Sequence, residues 1–146
     1  MQSRTLIIFL LLIFLSGTAV AATDSIGTVK TITGNVIVIR NAVQHSAVPG
    51  LKVRLNDQFK TGRDGAVGII FVDDTVISLG PNTILVMDEY VFAPQKKKMS
   101  MVLRLIKGTA SYLSGIIGKQ SPETVKIKTP EATIGIRGTK FLVKVD

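Results

Sequence analysis

Short runs of alternating or continuous apolar residues follow one another from about residue 27 onward and predict β-strands. The runs are rich in Val, Ile and Thr and are bounded by Gly, Asn, Asp and Pro. No stretch of this part sustains the three- and four-residue spacing of an amphipathic helix, and segment 111–118 carries two glycines that limit it to one helical turn. The predicted strands are 28–33, 35–40, 52–55, 66–71, 76–79, 84–92, 101–107, 109–113, 124–128, 133–137 and 140–145. The pattern therefore predicts an all-β fold of many short strands.

The first residues have a different pattern. Arg4 precedes an unbroken apolar run, 6–15, and small residues follow it as far as Ala22. A membrane-spanning helix needs roughly 20 apolar residues, whereas a shorter run with a small-residue exit is typical of a secretory signal peptide. We therefore expect residues 1–22 to be a signal peptide cleaved after Ala21 or Ala22; the alternative is an uncleaved anchor. The remaining residues, 23–146, have the length of one domain.

The amino-acid composition limits the kinds of functional site and partner that the chain can have. The chain has no cysteine, which excludes disulfide scaffolds, cysteine zinc sites and thiol nucleophiles. Its net charge is +8, and residues 23–94 carry six basic residues against seven acidic ones, whereas residues 95–146 carry eleven against three. This distribution predicts an acidic partner or surface near the C-terminal third. For an exported protein, nucleic acid is not the expected partner.

Few residues suit catalysis. His45 is the one histidine and lies in a polar loop by this interpretation, and a zinc site built on it would need an unusual set of carboxylates. Asp73 and Asp74 fall at a predicted turn, where they would cap backbone N–H groups. Asp88 and Glu89 are adjacent in a predicted strand and would point to opposite faces. We therefore predict no catalytic, cofactor or metal residue and no cofactor; an envelope hydrolase is the least favoured class.

The densest charge is the triplet Lys96, Lys97 and Lys98, between two predicted strands. One interpretation is a solvated hairpin loop that keeps the sheet edge soluble. The other is an electrostatic contact with lipopolysaccharide phosphates, anionic lipid or an acidic protein. Lys126 and Lys128 share one face of a predicted strand and could extend such a patch.

Several motifs occur in the order found in one family. The segments are Gly34 with Val36, Val38 and Arg40; Leu55, Asp57, Phe59, Thr61, Gly62, Asp64 and Gly65; Phe71, Asp73, Asp74 and Thr75; 79–83; Leu105, Lys107 and Gly108; and 129–141. Together they resemble the FecR domain over residues 27–145. The resemblance implies a solenoid-like or sandwich-like all-β periplasmic domain. FecR regulators also have a cytoplasmic segment, which controls a sigma factor, and a retained membrane helix. We expect neither part in this protein, so direct control of a sigma factor is not expected.

The most specific part of the resemblance comprises Thr129 and Pro130 with Arg137, Gly138 and Thr139. We expect a structural role for these residues. Arg137 could bond several carbonyl groups at a strand end, and Gly138 would permit the turn that follows. Ligand binding is the alternative.

These observations predict an exported, non-enzymatic, FecR-like domain that serves as a periplasmic binding or signalling-accessory module. It would offer strand edges or its basic surface to an envelope protein, with contacts at Lys96, Lys97, Lys98, Lys126 and Lys128. Once its leader is cleaved it would not be an integral membrane protein. The alternative is a structural protein that binds an anionic envelope polymer such as lipopolysaccharide or peptidoglycan.

Overall fold

A computed structural model describes residues 24–146 of the chain. This part consists of strands, one short α-helix and two 3₁₀ turns. The elements are β1 (Gly27–Thr33), β2 (Val36–Arg40), β3 (Val43–Ser46), β4 (Lys52–Val53), β5 (Gln58–Thr61), β6 (Ala66–Phe71), β7 (Val76–Leu79), β8 (Ile84–Ala93), a 3₁₀ turn (Pro94–Lys96), β9 (Lys98–Leu113), α1 (Ile116–Gln120), a 3₁₀ turn (Pro122–Thr124), β10 (Val125–Lys128), β11 (Thr133–Gly135) and β12 (Lys140–Val145).

The strands form a curled, mostly antiparallel sheet. Its main path runs β3-β2-β5-β8-β9-β7-β6-β1-β4. β10 lies parallel to β9 and is followed by β11, while β12 pairs antiparallel with the other end of β9. β9 is therefore shared: residues 98–107 pair with β8, and residues 108–113 pair with β12.

Gly108 lies where β9 changes partners. Its φ is +92°, a left-handed conformation that L side chains rarely adopt, and a Cβ there would overlap Thr83. The Thr83 hydroxyl accepts a hydrogen bond from the Thr109 N–H (2.9 Å), which fixes the adjacent backbone. Gly108 thus allows one continuous strand to serve two parts of the sheet.

One hydrophobic core lies inside the curl. Alternate side chains of almost every strand enter it, from Val29 in β1 through Phe59, Ile77 and Leu103 to Val143 in β12. In β10 the alternation is complete, with the two apolar side chains buried and the two lysines exposed. Strands from the first to the last of the described part therefore share one core.

The all-β prediction is confirmed; the solenoid-like or sandwich-like arrangement stays a prediction. The bounds of strands 66–71, 76–79 and 140–145 are those predicted, and the helix is little more than one turn. β3 and β5 were not predicted. The two strands predicted on either side of Gly108 are one strand, because Gly108 bends the chain without ending the pairing.

None of the helices within residues 24–146 has the length and apolar character needed to cross a membrane. The predicted signal peptide, residues 1–22, and its cleavage site lie outside the described residues.

Candidate functional site

Asp57, in the turn before β5, is completely buried. Its carboxylate accepts two hydrogen bonds from the Arg40 guanidinium, 2.8 Å from Nε and 2.7 Å from Nη2, and a third from the Arg54 N–H at 2.8 Å. The hydrogen bond to Asp57 raises the pKa of Arg40. The Arg40 guanidinium also donates to the Lys52 carbonyl. Asp57 therefore holds β2 against the turn between β4 and β5, and its oxygens are occupied.

Asp73, between β6 and β7, is also completely buried. Its carboxylate accepts hydrogen bonds from the Thr75 N–H (3.3 Å) and hydroxyl (2.7 Å), the Tyr90 hydroxyl (2.9 Å) and the Ile117 N–H (3.0 Å). The bond from the Thr75 N–H confirms the predicted turn cap. Burial, and then the charge of Asp73, raises the pKa of Tyr90. Asp73 thus joins the turn, β8 and α1, and it has four donors around it.

The prediction that Asp88 and Glu89 point to opposite faces is wrong. A bulge at Asp88 leaves it unpaired, whereas Glu89 lies opposite Val102, so both acids reach the outer face of the sheet. Asp88 accepts two 2.9 Å hydrogen bonds from the guanidinium of Arg104, whose pKa that contact raises, and Glu89 accepts one from the Ser100 hydroxyl. Both acids therefore have neighbouring donors on β9.

His45 is exposed, but it lies in the edge strand β3 rather than in a loop. No group of three or more histidine, aspartate or glutamate side chains in residues 24–146 is arranged to hold a metal ion.

The predicted lysine contacts fall into two places. Lys96 and Lys97 belong to the turn between β8 and β9, where Lys97 adopts a left-handed φ of 52°. Lys98 begins β9 and, by strand alternation, shares the outer face with Lys126 and Lys128, which lie beside Val102 and Arg104. Lys126 is about 13 Å further along the sheet than Lys98, at about 3.3 Å per residue. Three of the five lysines thus share a face, which also carries Asp88 and Glu89; their role in binding stays a prediction.

A groove that the sequence did not predict lies between the segment 134–137 and β12. Its volume is about 390 Å³. Its lining residues are Ile134, Gly135, Ile136, Arg137, Phe141, Leu142, Val143 and Lys144. The floor is firm, because Ile136 and Val143 are buried and Phe141 stacks on Tyr112 at 4.8 Å between ring centroids. The groove therefore combines an apolar floor with basic side chains at its margin.

β12 borders this groove and pairs only with β9 among the described strands. The Ser114 N–H donates to the Thr139 carbonyl (2.8 Å), which fixes the alternation along the pair. Counting from Thr139, the N–H and C=O groups of Lys140, Leu142 and Lys144 point away from β9. These groups have no backbone partner within residues 24–146. β12 thus presents an open edge beside the groove.

The family model described as FecR protein matches residues 57–146, more than half of the chain. The chain belongs to the FecR family. No curated protein and no solved structure matches it. FecR membership is consistent with a signalling-related module that interacts with proteins.

The FecR match includes the buried Asp57 and Asp73 as well as the groove and β12. The resembling positions from Gly34 to Leu55 lie outside the match, although Val36 and Val38 are buried in the same core. The family sequence thus spans two kinds of position, buried hydrogen-bonded acids and an open C-terminal edge.

The closing FecR motif begins with a compact turn. The Thr129 N–H donates to the Ala132 carbonyl (2.8 Å), and the Ala132 N–H donates to the Thr129 hydroxyl (3.1 Å). Pro130 is exposed within this turn. Gly138 has a φ of +118° and its carbonyl accepts a hydrogen bond from the Ser114 hydroxyl (3.0 Å). These hydrogen bonds hold the turn at 129–132 closed and tie the backbone at Gly138 to Ser114.

Arg137 differs from the expectation. It is exposed, and within residues 24–146 its guanidinium makes no hydrogen bond or ion pair. The predicted bonds to carbonyl groups are absent because Ile136 takes the buried position, so the next side chain turns outward. Arg137 instead lines the groove. The alternation of exposed Lys140, Leu142 and Lys144 was the sequence signal for this surface, but their unpaired edge could not be read from it.

Proposed function

We propose that this member of the FecR family is an exported, non-enzymatic module that acts in the periplasm by binding another envelope protein, as an accessory to signalling. The open edge of β12 beside the basic, apolar-floored groove carries the proposal. An unpaired strand supplies a row of backbone donors and acceptors, and an adjacent groove supplies side-chain contacts. Export rests on the signal peptide expected at residues 1–22.

The state of the acids supports binding rather than catalysis. Asp57 and Asp73 are buried and surrounded by donors, so neither is positioned to meet a substrate. A general acid or base must reach the reacting atom within hydrogen-bond distance. The free polar groups at β12, by contrast, are backbone amides and carbonyls, which suit recognition of another chain.

A second candidate is attachment to an anionic envelope polymer such as lipopolysaccharide or peptidoglycan. It is favoured by Lys98, Lys126 and Lys128, which share the outer face of the sheet. Their contact with phosphates or carboxylates would weaken strongly with salt, whereas a strand-edge contact would be less salt-sensitive.

The test is site-specific photo-crosslinking in cells. A photoreactive residue is placed at Leu142 on β12, at Lys128 on β10 and, as a matched control, at Gln44 on the exposed edge strand β3. Captured proteins are identified, and lipopolysaccharide and peptidoglycan are assayed in the same eluates.

A stoichiometric protein captured from Leu142 and not from Gln44 is the expected result. Polymer captured from Lys128, without any protein, would replace the proposal by the second candidate. Export is tested separately with a variant that lacks residues 1–22. This variant should no longer capture the protein through Leu142, and unchanged capture would contradict export.

A further inference from the structure

We propose that the open edge of β12 binds an extended segment of its partner as an added antiparallel strand. That segment carries an apolar side chain opposite Leu142 and acidic side chains opposite Lys140 and Lys144. This inference rests on the proposed function and names the chemistry of the partner at the same site.

β12 is the longest described strand that has a single neighbour. β3, β4, β11 and β12 each have one neighbour. The first three span four, two and three residues, and β12 spans six. Short edge strands offer too few unpaired groups for stable addition, which is one way that proteins protect their edges. β12 offers a longer row of groups and borders the groove.

The side chains on the outer face of β12 define what can be added. Leu142 is 68% exposed, and the lysines two positions before and after it, Lys140 and Lys144, are exposed too. A residue directly opposite on an added strand comes within about 5.5 Å of its partner, so side-chain pairs across the edge interact. A segment reading acid, any residue, apolar, any residue, acid complements all three positions.

Within residues 24–146, the one ion pair formed by a β12 lysine leaves that lysine available to a partner. Asp146 lies 3.5 Å from the Lys144 ammonium, and both side chains are largely exposed. An exposed pair of this kind contributes little and exchanges readily with another carboxylate. Arg137, at the groove margin, has no acid partner within residues 24–146.

The same charges disfavour a second copy of the chain as the occupant. Two β12 strands paired antiparallel about Leu142 would place Lys140 of each copy opposite Lys144 of the other. Like charges directly opposite each other destabilise a strand pair. An acidic segment turns both contacts into attractive ones. Charge complementarity therefore selects an acidic partner strand over self-association.

The probe is a synthetic nine-residue peptide with glutamate at its third and seventh positions, valine at its fifth and threonine elsewhere. Binding to the full chain, purified from cells after expression with its own N-terminal segment, is measured by fluorescence anisotropy. In the proposed pairing the third, fifth and seventh residues of the peptide bond to β12, and the fourth and sixth point their N–H groups away. We expect saturable binding.

Two N-methylated peptides separate strand addition from charge attraction. Methylation of positions three, five and seven removes the three bonding N–H groups and lowers affinity by at least about tenfold. Methylation of positions four and six leaves affinity within about twofold, because those groups do not face β12. Equal effects of the two methylations, or no binding of the parent peptide, would overturn the proposal.

Protein variants test the charges. The double variant Lys140→Glu and Lys144→Glu loses the glutamate peptide and gains a peptide with lysines in place of the glutamates. The matched control, Lys30→Glu with Lys60→Glu, makes the same change of charge on β1 and β5, which do not pair with β12, and leaves both affinities within about twofold. A loss equal to that of the β12 variant would show that net charge rather than β12 binds the peptide. Circular dichroism confirms folding of both variants.

The outcomes also separate this inference from the proposed function. A protein captured from Leu142 in cells, together with failure of the peptide, would reject the acidic strand and leave protein binding standing. Absence of any captured protein would reject the proposed function itself. A concentration-dependent dimer that excludes the peptide would identify a second copy as the occupant and overturn the inference.

Discussion

The buried acids and the closing segment of this FecR-family chain are opposites. Asp57 and Asp73 have no exposed surface, and each carboxylate accepts at least three hydrogen bonds. Arg137, at the other end of the family match, is exposed and unpaired within residues 24–146, and it borders an open groove. Charged residues of one family sequence therefore occupy two different environments.

The difference separates what builds the fold from what is free to meet a partner. Removal of a buried carboxylate destabilises the fold because it leaves several donors without an acceptor. An exposed guanidinium without an acid partner contributes little to folding and is accessible to a binding partner. Perturbing the two regions in parallel should therefore give opposite patterns in stability and in partner capture.

The largest expected effect is that of Asp73→Asn. The substitution keeps the shape but removes the charge and one acceptor facing Thr75, Tyr90 and the backbone of α1. We expect a loss of about 3 kcal/mol in the free energy of unfolding, measured by urea denaturation. Asp74→Asn is the control, since Asp74 is exposed and asparagine tolerates its φ of +68°. Equal denaturation midpoints for the two variants would contradict the role given to Asp73.

Gly108→Ala comes next. A Cβ at Gly108 would overlap Thr83 and would stand at a φ of +92°, so strain and overpacking together should cost about 2 to 3 kcal/mol. Gly135→Ala is the matched control in the exposed region, where nothing lies within 4 Å of the new methyl group. Thermal unfolding of both variants checks this. A larger loss for Gly135→Ala would reverse the comparison.

Tyr90→Phe has a moderate effect that depends on pH. The lost hydrogen bond to Asp73 should cost about 1.5 kcal/mol at neutral pH. The pKa of Tyr90 in the folded protein lies above its ordinary value of 10.0, so the unfolded chain loses this proton first and stability falls as pH rises above 10. The variant should lose less stability between neutral pH and about pH 11 than the wild type does. If the wild type and the variant lost the same stability between neutral pH and about pH 11, ionisation of Tyr90 would not be the cause of the loss. Burial raises the pKa of Tyr112 too, so part of the alkaline loss should persist in the variant.

The smallest effect on folding belongs to Arg137→Ala. Because the guanidinium has no partner within the described residues, stability should change by less than about 0.5 kcal/mol. Capture of a protein through a crosslinker at Leu142 should nevertheless decrease. A stability loss comparable to that of Asp73→Asn would restore the architectural role first expected for Arg137.

Much of the fold could be predicted because burial imposes a two-residue period on the strands. β6, β7 and β12 alternate clearly, and their predicted bounds are those observed. β3 was missed because all four of its residues are exposed, so no face of it is marked by apolar side chains. β9 was divided at Gly108 because a glycine in a strand usually signals a bulge or turn, and pairing on both sides of it is a tertiary property.

The candidate site was less predictable. The sequence marks the basic C-terminal third, but the groove forms only when segment 134–137 and β12 come together. Which edge of β12 stays unpaired depends on its register with β9. The direction of Arg137 follows from burial of Ile136, which competes for the inner position. The bulge at Asp88 is a similar local irregularity, and strict alternation placed that carboxylate on the wrong face.

The alternation along β12 also determines how fast its backbone amides exchange with solvent. The N–H groups of Phe141, Val143 and Val145 point towards β9 and are hydrogen-bonded to it. Those of the residues between them point away from β9. In deuterated water, every second amide of this strand should exchange quickly and its neighbours slowly. A partner strand bound along this edge would slow exchange of the fast amides and leave the slow amides almost unchanged. The exchange pattern of β12 would therefore report binding of the partner.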